Sequence, residues 1–372
     1  MLKKIKKSDY WLLLFTIIIC LLGLIMVYSA SWPDGIKDGN DGGLYFKNQL
    51  RAFILGIIAM LFMRKIDYRI FKSKITEITF GIALVLNIIV RFISEPVNGA
   101  YRWIELPLGL SFMPSDILKL SSILLFAKIL SSKKYKMNEF RRGFFPFIIL
   151  LGLLMAILLY FQSDLGTAAS LGISLFFMYV ISGVRIIYPF IIGILGIVSG
   201  GYMTMSKGYR RERFTTFLNP FKDKLGEGWQ VVQSLYAIGS GGVLGVGLGQ
   251  SKQKYYYLPF PYSDFIFSIF AEEFGLIGSL ILIGLYLAFA IRGLRIAILI
   301  KDRFGKLLAY GLTVIVFIQA MIHIAVATSS IPATGITMPL FSYGGTSLVI
   351  NLIGIGILLN ISSHIKINTK GE

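Results

Sequence analysis

The 372-residue chain holds a single cysteine, two histidines and only 15% charged residues. Cys20 sits inside an apolar run, which excludes a disulfide framework and any cysteine-built metal centre. His323 and His364 are far apart in the chain and fall on opposite sides of the topology drawn below. Neither a histidine-based metal site nor a Ser-His-Asp arrangement has its parts. No nucleotide-binding motif, soluble domain, low-complexity linker or internal repeat is found either. What abounds is hydrocarbon: 55% of the residues are hydrophobic and the mean hydropathy is +0.73. That composition belongs to a polytopic membrane protein, for which the bilayer is the solvent.

Apolar runs of spanning length fall near 10–30, 47–63, 76–93, 113–131, 144–161, 165–183, 187–205, 265–291, 307–328 and 340–361. They predict an all-α protein of about ten transmembrane helices. The first run follows KKIKK as a signal peptide would, but it is long enough to span and lacks a small-residue cleavage site, so it reads as a retained helix. Cytoplasmic loops collect Lys and Arg, and alternate loops do so here. They hold Lys3, Lys4, Lys6 and Lys7; Arg64, Lys65, Arg69, Lys72 and Lys74; Lys133, Lys134, Lys136, Arg141 and Arg142; Arg185; Arg292, Arg295, Lys301, Arg303 and Lys306; and Lys366 and Lys370. Both termini are therefore expected in the cytoplasm. A large loop, 202–264, is expected outside between helices seven and eight, all within one membrane domain over 1–372.

That outer loop carries Lys207, Arg210, Arg211, Arg213, Lys222, Lys224, Lys252 and Lys254 against Glu212, Asp223 and Glu227. Long loops escape the charge rule. The basic excess either lies on anionic headgroups or forms an outward site for an anion such as a diphosphate. Within the loop, GWQVVQSLYAIGSGGVLGVGLGQ (Gly228 to Gln250) is amphipathic, Gly-rich and too short in its apolar parts to cross. It predicts a helix lying at the interface or re-entering it. As a phosphate cradle the pattern lacks a following Lys-Ser or Lys-Thr and a flanking strand, so turns and close packing are the simpler assignment.

Sorted by side, Arg102, Glu105, Asp116, Lys119, Asp164 and Asp264 gather in outer loops or near outer helix ends. Ionisable groups there mark function, or pair as salt bridges, as Asp116 and Lys119 can at a spacing of three. Pro114-Ser115-Asp116 opens the fourth helix, where Ser115 or Asp116 can cap, and Asp164 can cap the sixth. Asp264, after LPFPYS, is either the cap of the eighth helix or a reacting base kept ionised by backbone and headgroup water. Glu272 and Glu273 lie about 12–13 Å deeper along that helix and read as structural or electrostatic supports. The segment SSIPATGITMPLFSYGGTS (Ser329 to Ser347) leads into the tenth helix. Its Ser342, Tyr343 and backbone donors can hold phosphate or sugar oxygens, or mark an ordinary broken helix end.

In order along nearly the whole chain stand GLIMVYSAS, NGAYRWI, MPSDILK, QSDLGTA, FLNPFKDKLGEGWQVVQSLYAIGSGGVLGVGLGQSKQKYYYLP, SDFIFSIFAEEFG, PATGITMPLFSYGGTS and LLNISSH. On these motifs the chain resembles the SEDS family (shape, elongation, division and sporulation) of bacterial peptidoglycan glycosyltransferases. GLGQSKQKYYYLP and LLNIS are more similar to the FtsW or SpoVE type than to the RodA type. The resemblance implies polymerisation of lipid II into a growing glycan strand at the outer face of the bacterial cytoplasmic membrane, for cell division or cell shape. It further implies a class B penicillin-binding protein as cross-linking partner and other division or elongation membrane proteins as neighbours. Asp264 matches the essential aspartate of the family's TDF motif, while Trp103, Lys119 and Gln162 match outer motifs lining its proposed cavity. Two departures stand out: PE-x-HTDF reads PFPYSDF, with Phe260 for an acid and Tyr262-Ser263 for His-Thr, and QPSE-x-x-K reads MPSD-x-x-K. No role is carried over for the missing His and Glu.

The mechanism expected is an inverting transfer with Asp264 as general base on the acceptor hydroxyl. Arg102, Trp103, Lys119, Gln162, Arg210, Arg213, Lys252, Lys254, Ser342 and Tyr343 are the candidate substrate contacts. Arg210, Arg211, Arg213, Lys252 and Lys254, together with Lys119, would steady the leaving diphosphate, and Asp116, Asp164, Glu272 and Glu273 would support. No cofactor or metal ligand is assigned, although a divalent cation, Mg or Mn, is compatible with a diphosphate; nucleic acid is not an expected partner. A lipid-precursor flippase or transporter would instead gather charge at the midplane and on both faces. A non-catalytic division scaffold would tolerate the loss of Asp264.

Overall fold

The computed structural model describes residues 8–94, 101–106, 110–132, 139–206, 214–222, 226 and 228–365. Each expected apolar run is helical: α1 Tyr10–Gly39, α2 Leu44–Lys65, α3 Ile75–Ile93, α4 Pro114–Ser131, α5 Phe140–Phe161, α6 Leu165–Ile181 and α7 Ile187–Ser206. After the amphipathic α8 (Trp229–Ser240) come α9 Ile266–Leu299, α10 Arg303–Ala327 and α11 Gly345–Ser363. Seven of these are long and apolar enough to cross a membrane: α1, α2, α3, α5, α9, α10 and α11. By contrast α4 carries Asp116, Lys119 and Lys128, and α6 and α7 are shorter over their apolar parts. One short element of another kind joins the helices. Ile104–Leu106 (β1) and Leu110–Phe112 (β2) form a small antiparallel hairpin, with Glu105 opposite Ser111, just before α4.

The most extensive helix–helix contact is between α2 and α11, and α10 packs on α9, α4, α6 and α11 at the centre. At the end where α1 and α10 start, polar side chains tie helix ends together. Asp9 accepts the Leu12 N–H at 2.9 Å as N-cap of α1 and meets Arg292 of α9 at 2.6 Å. Asn360 donates to the Arg64 carbonyl at 2.8 Å and accepts the Tyr68 N–H at 3.0 Å. Asp302 caps α10 through the Gly305 N–H at 3.0 Å and pairs with Lys72 at 2.9 Å. The candidate site lies at the opposite end.

The eighth span, read from the sequence as one continuous helix, is broken. At Gly275 the backbone of α9 turns to φ 66°, ψ −163°. A break in a spanning helix frees backbone groups that water cannot reach, so other backbone must satisfy them. The glycine-rich turn after α8 does so. Val246 and Gly247 N–H donate to the Glu272 and Glu273 carbonyls, both at 3.0 Å, while Leu276 and Ile277 N–H donate to the Gly242 and Val243 carbonyls at 2.9 and 3.2 Å. Main chain meets main chain so closely that a Cβ at Gly275 would stand 2.4 Å from the Gly245 nitrogen, and one at Gly245 would stand 2.2 Å from the Glu273 oxygen. These glycines exist for that approach, with α8 leading into a re-entering turn.

Candidate active site at one end of the bundle

Asp264 stands two residues before α9. The N-cap position falls on Phe265, so the simple capping explanation for this acid is set aside. Its N–H donates to the Phe260 carbonyl at 3.2 Å. Across from it lies Gly335, in the left-handed region at φ 66°. A methyl built there would be 3.4 Å from both Asp264 Oδ2 and Arg102 Nη1, so these two side chains flank one glycine within two contact distances of each other. Arg102 Nη1 donates to the Gly335 carbonyl at 3.0 Å, and Nη2 lies 3.6 Å from Asp164 Oδ1. Asp164 is fully buried and caps α6, accepting from the Thr167 N–H at 3.0 Å and the Thr167 hydroxyl at 2.7 Å. An acid–guanidinium–acid row thus joins the segment before β1, the start of α6 and the start of α9.

The backbone around this row is held in uncommon conformations. Ser163, Phe260 and Leu340, none of them glycine, have φ of 55°, 52° and 66°. Such residues cost roughly 1–3 kcal/mol each and cluster where function fixes geometry. Ser342 and Tyr343 grip the turn that carries the acid. The Ser342 hydroxyl donates to the Ser263 carbonyl at 2.9 Å, and the Tyr343 N–H donates to the Tyr262 carbonyl at 2.9 Å. Tyr45, Tyr262 and Tyr343 cluster beside them, one ring pair tilted and two edge-on, with centroids 4.4–5.5 Å apart. Burial, with Asp34 and Asp38 nearby, pushes the Tyr262 phenol up to about 12.

The other expected contacts divide. Trp103 is half-buried one residue after Arg102. Lys119 pairs with Asp116 at 2.8 Å and donates to Gln319 at 3.1 Å, so Asp116 serves an ion pair and neither it nor Ser115 caps α4, whose N-cap is Met113. The pair faces a cavity between α4, α10 and α11 that Gln319 and Asn351 also line, with Asp116 Oδ2 buried and unpartnered. Gln319 in turn donates to the Thr337 carbonyl at 2.9 Å, two residues past Gly335. Gln162 is fully buried and donates to Asn87, which bonds the Ala83 and Pro114 carbonyls. Lys254 belongs with the supports. Its ammonium is buried and contacts Glu273 at 3.0 Å, Ser29 at 3.1 Å and the Gly249 carbonyl at 2.7 Å, which uses its three donors.

Glu272 and Glu273 hold the turn that fills the helix break. Glu272 accepts from the Ser251 hydroxyl at 2.5 Å and the Lys252 N–H at 3.0 Å, and Glu273 accepts from Ser29 at 2.7 Å. The Lys252 side chain is exposed. Arg210 and Arg213 lie outside the described residues, as do Lys207, Arg211 and Lys224. Among the described residues no three His, Cys, Asp or Glu side chains gather into a metal-ligand set, and Arg102 already stands between Asp164 and Gly335. Sequence reasoning missed Gly335, Gln49 and Gln319; only the unusual Pro-Ala-Thr-Gly run pointed toward the first.

Fold and site together define a multi-pass membrane protein with an acid and a guanidinium converging where several helices begin or end. Residues 10–367 match the family of cell cycle proteins that groups FtsW, RodA and SpoVE, and the chain belongs to that family. It is 38% identical over 365 residues to the "Probable peptidoglycan glycosyltransferase FtsW" of Geobacter sulfurreducens, covering 98% of this chain and 97% of that one. It is 40% identical over 370 residues to stage V sporulation protein E of Bacillus subtilis, covering 98% and 99%. Among solved structures, a chain of a peptidoglycan synthase complex, described for its coordination of polymerization and crosslinking, superimposes with a TM-score of 0.76 at 27% identity, over 95% of this chain and 97% of that one. The rod shape determining protein RodA of Thermus thermophilus shares the fold, with a TM-score of 0.68 at 24% identity, over 95% and 96%.

Proposed function

We propose that the chain is an inverting peptidoglycan glycosyltransferase that polymerises lipid II into glycan strands at the outer face of the cytoplasmic membrane. Full-length similarity to relatives of that name supports the reaction class. The observation that carries the site is Asp264 beside Gly335 and Arg102, an acid outside the capping position on a doubly gripped turn. Ten spans, cytoplasmic termini and an outer 202–264 loop complete this reading, favoured by the alternating basic loops. A polymerising enzyme also needs a cross-linking neighbour, and the similarity to a chain of a synthase complex favours a penicillin-binding partner.

In this mechanism the Asp264 carboxylate takes the proton from the acceptor sugar hydroxyl as that oxygen attacks the anomeric carbon of the donor. The new C–O bond forms on the face opposite the departing lipid diphosphate, the old C–O bond breaks, and the proton leaves Asp264 to solvent. A diphosphate departs without the acid assistance that an ordinary glycoside needs, so one base suffices. Arg102 and the exposed Lys252, with Arg210 and Arg213, supply positive charge toward the developing anion. Trp103 and Lys119 would contact substrate from the hairpin side and the inner cavity.

Polymerisation of purified lipid II, by wild type and by Asp264→Asn matched for insertion and stability, tests the reading. The variant should lose about 10²-fold or more in rate. Equal product from both would remove Asp264 from the chemistry, and no product from the wild type, with or without its partner, would return the chain to transport or scaffolding.

A further inference from the structure

Gln49 lies on α2, outside every motif used above, and is 2% exposed. Its amide grips one short stretch of main chain at two points: Nε2 donates to the Ser342 carbonyl at 3.0 Å, and Oε1 accepts the Gly344 N–H at 3.1 Å. A primary amide carries a donor and an acceptor side by side on one plane, as a C=O and an N–H two residues on require. The stretch so held is the one that holds the acid. Between the two gripped groups, the Tyr343 N–H reaches the Tyr262 carbonyl, and the Ser342 hydroxyl reaches the Ser263 carbonyl while accepting the Met338 N–H at 2.7 Å.

The two peptide carbonyls immediately before Asp264 are thus fixed by two residues that Gln49 fixes. One turn before Gln49 on the same helix, Tyr45 closes the ring cluster over Tyr262 and Tyr343. Because α2 makes the most extensive helix contact in the molecule, with α11, the clamp rests on a rigid base.

We infer that Gln49 is a positioning residue for Asp264, acting through Ser342 and Tyr343 to set where the carboxylate stands. The inference rests on the proposed role of Asp264. A purely structural glutamine would satisfy two loop groups and leave the acid indifferent. A positioning glutamine sets the register of residues 262–264, and displacement of a reacting group by about 1 Å can cost 10²-fold in rate.

The test uses the full-length protein with Gln49→Leu and Gln49→Met, each compared with wild type for thermal stability in detergent. Ser342→Ala, which removes only the next link, stands in if the Gln49 variants do not insert. Two readouts are taken. In lipid II polymerisation, kcat should fall about tenfold or more while KM stays within roughly twofold. Combining Gln49→Leu with Ser342→Ala should cost little beyond the larger single loss, since both act on one contact chain.

The second readout needs no activity. Labelling of Asp264 by a water-soluble carbodiimide, followed by peptide mass spectrometry, should run about threefold or more faster in the variants, because the turn carrying the acid opens locally. An unchanged labelling rate in a variant as stable as wild type overturns the inference, whatever the activity. Faster labelling in a protein whose wild type makes no polymer upholds the positioning and sinks the glycosyltransferase reading instead.

Discussion

The smallest residue in the site is among the most constrained. Gly335 has a left-handed φ, and its open side faces Arg102 and Asp264 at contact distance. Gly335→Ala would add backbone strain of about 1 kcal/mol and push a methyl between acid and guanidinium. The expected result is a protein that inserts normally yet polymerises lipid II about tenfold more slowly, read by comparing single-turnover rates at matched protein levels. Wild-type rates would show that the gap between the two groups is not used. Asp264 itself was legible in the sequence, because an acid at the start of an apolar run demands a reason. Arg102 was legible as a candidate contact too, but the pairings around the acid were not. Arg102 lies 233 positions from Gly335 and Gln49 lies 293 from Ser342, and no local period encodes pairings across such distances. Lys254 read as a substrate contact because its loop is basic, and only the fold reveals the buried Glu273 and Ser29 that claim it.

Helices were largely legible as elements, since a spanning run must be apolar for about 20 residues. The break in α9 was hidden, because one glycine in an apolar run normally packs rather than breaks and the turn that compensates it lies some thirty residues earlier. The exchange of four main-chain hydrogen bonds there predicts a sharp cost at Gly245. Gly245→Ala puts a methyl on the Glu273 carbonyl at 2.2 Å, so the apparent melting temperature in detergent should fall by several degrees. Gly239→Ala, in α8 with nothing within 4 Å, should leave it unchanged. At the other end, Asp302 joins the turn Tyr68–Lys72 to the start of α10 through Lys72, Tyr68 and the Gly305 N–H. Burial alone would raise its carboxyl, but these hydrogen bonds outweigh burial and hold it below the ordinary value. A depressed folded value stabilises above the unfolded value of about 3.9 and fades as pH falls through the folded one. Asp302→Ala should therefore cost about 1 kcal/mol at neutral pH from the lost cap. The gap in melting temperature between variant and wild type should hold down to about pH 4 and close only below it.

At the scale of the whole molecule, the positive net charge of +18 is not evenly spread. The short loops at one end of the bundle carry Arg64, Lys72, Arg292 and Arg303 with their partners, while the candidate site, with its buried acids and the long segment holding Lys252 and Lys254, occupies the other. That polarity supports an orientation in which the basic end faces the cytoplasm, and it makes a prediction that does not involve catalysis. Cys20 is the chain's only thiol and is buried, so its replacement by Ala leaves a background for single cysteines. On that background, Lys252→Cys, exposed in the segment after the glycine-rich turn, should react with a membrane-impermeant maleimide in intact cells. Lys306→Cys, exposed near the start of α10, should react only after the membrane is opened. Labelling of both in intact cells, or of neither, would mean that an odd number of crossings does not separate these positions. The outer location of Asp264 would then lose its support, because a base that must meet a lipid-carried sugar outside the cell has to lie on the same side as Lys252.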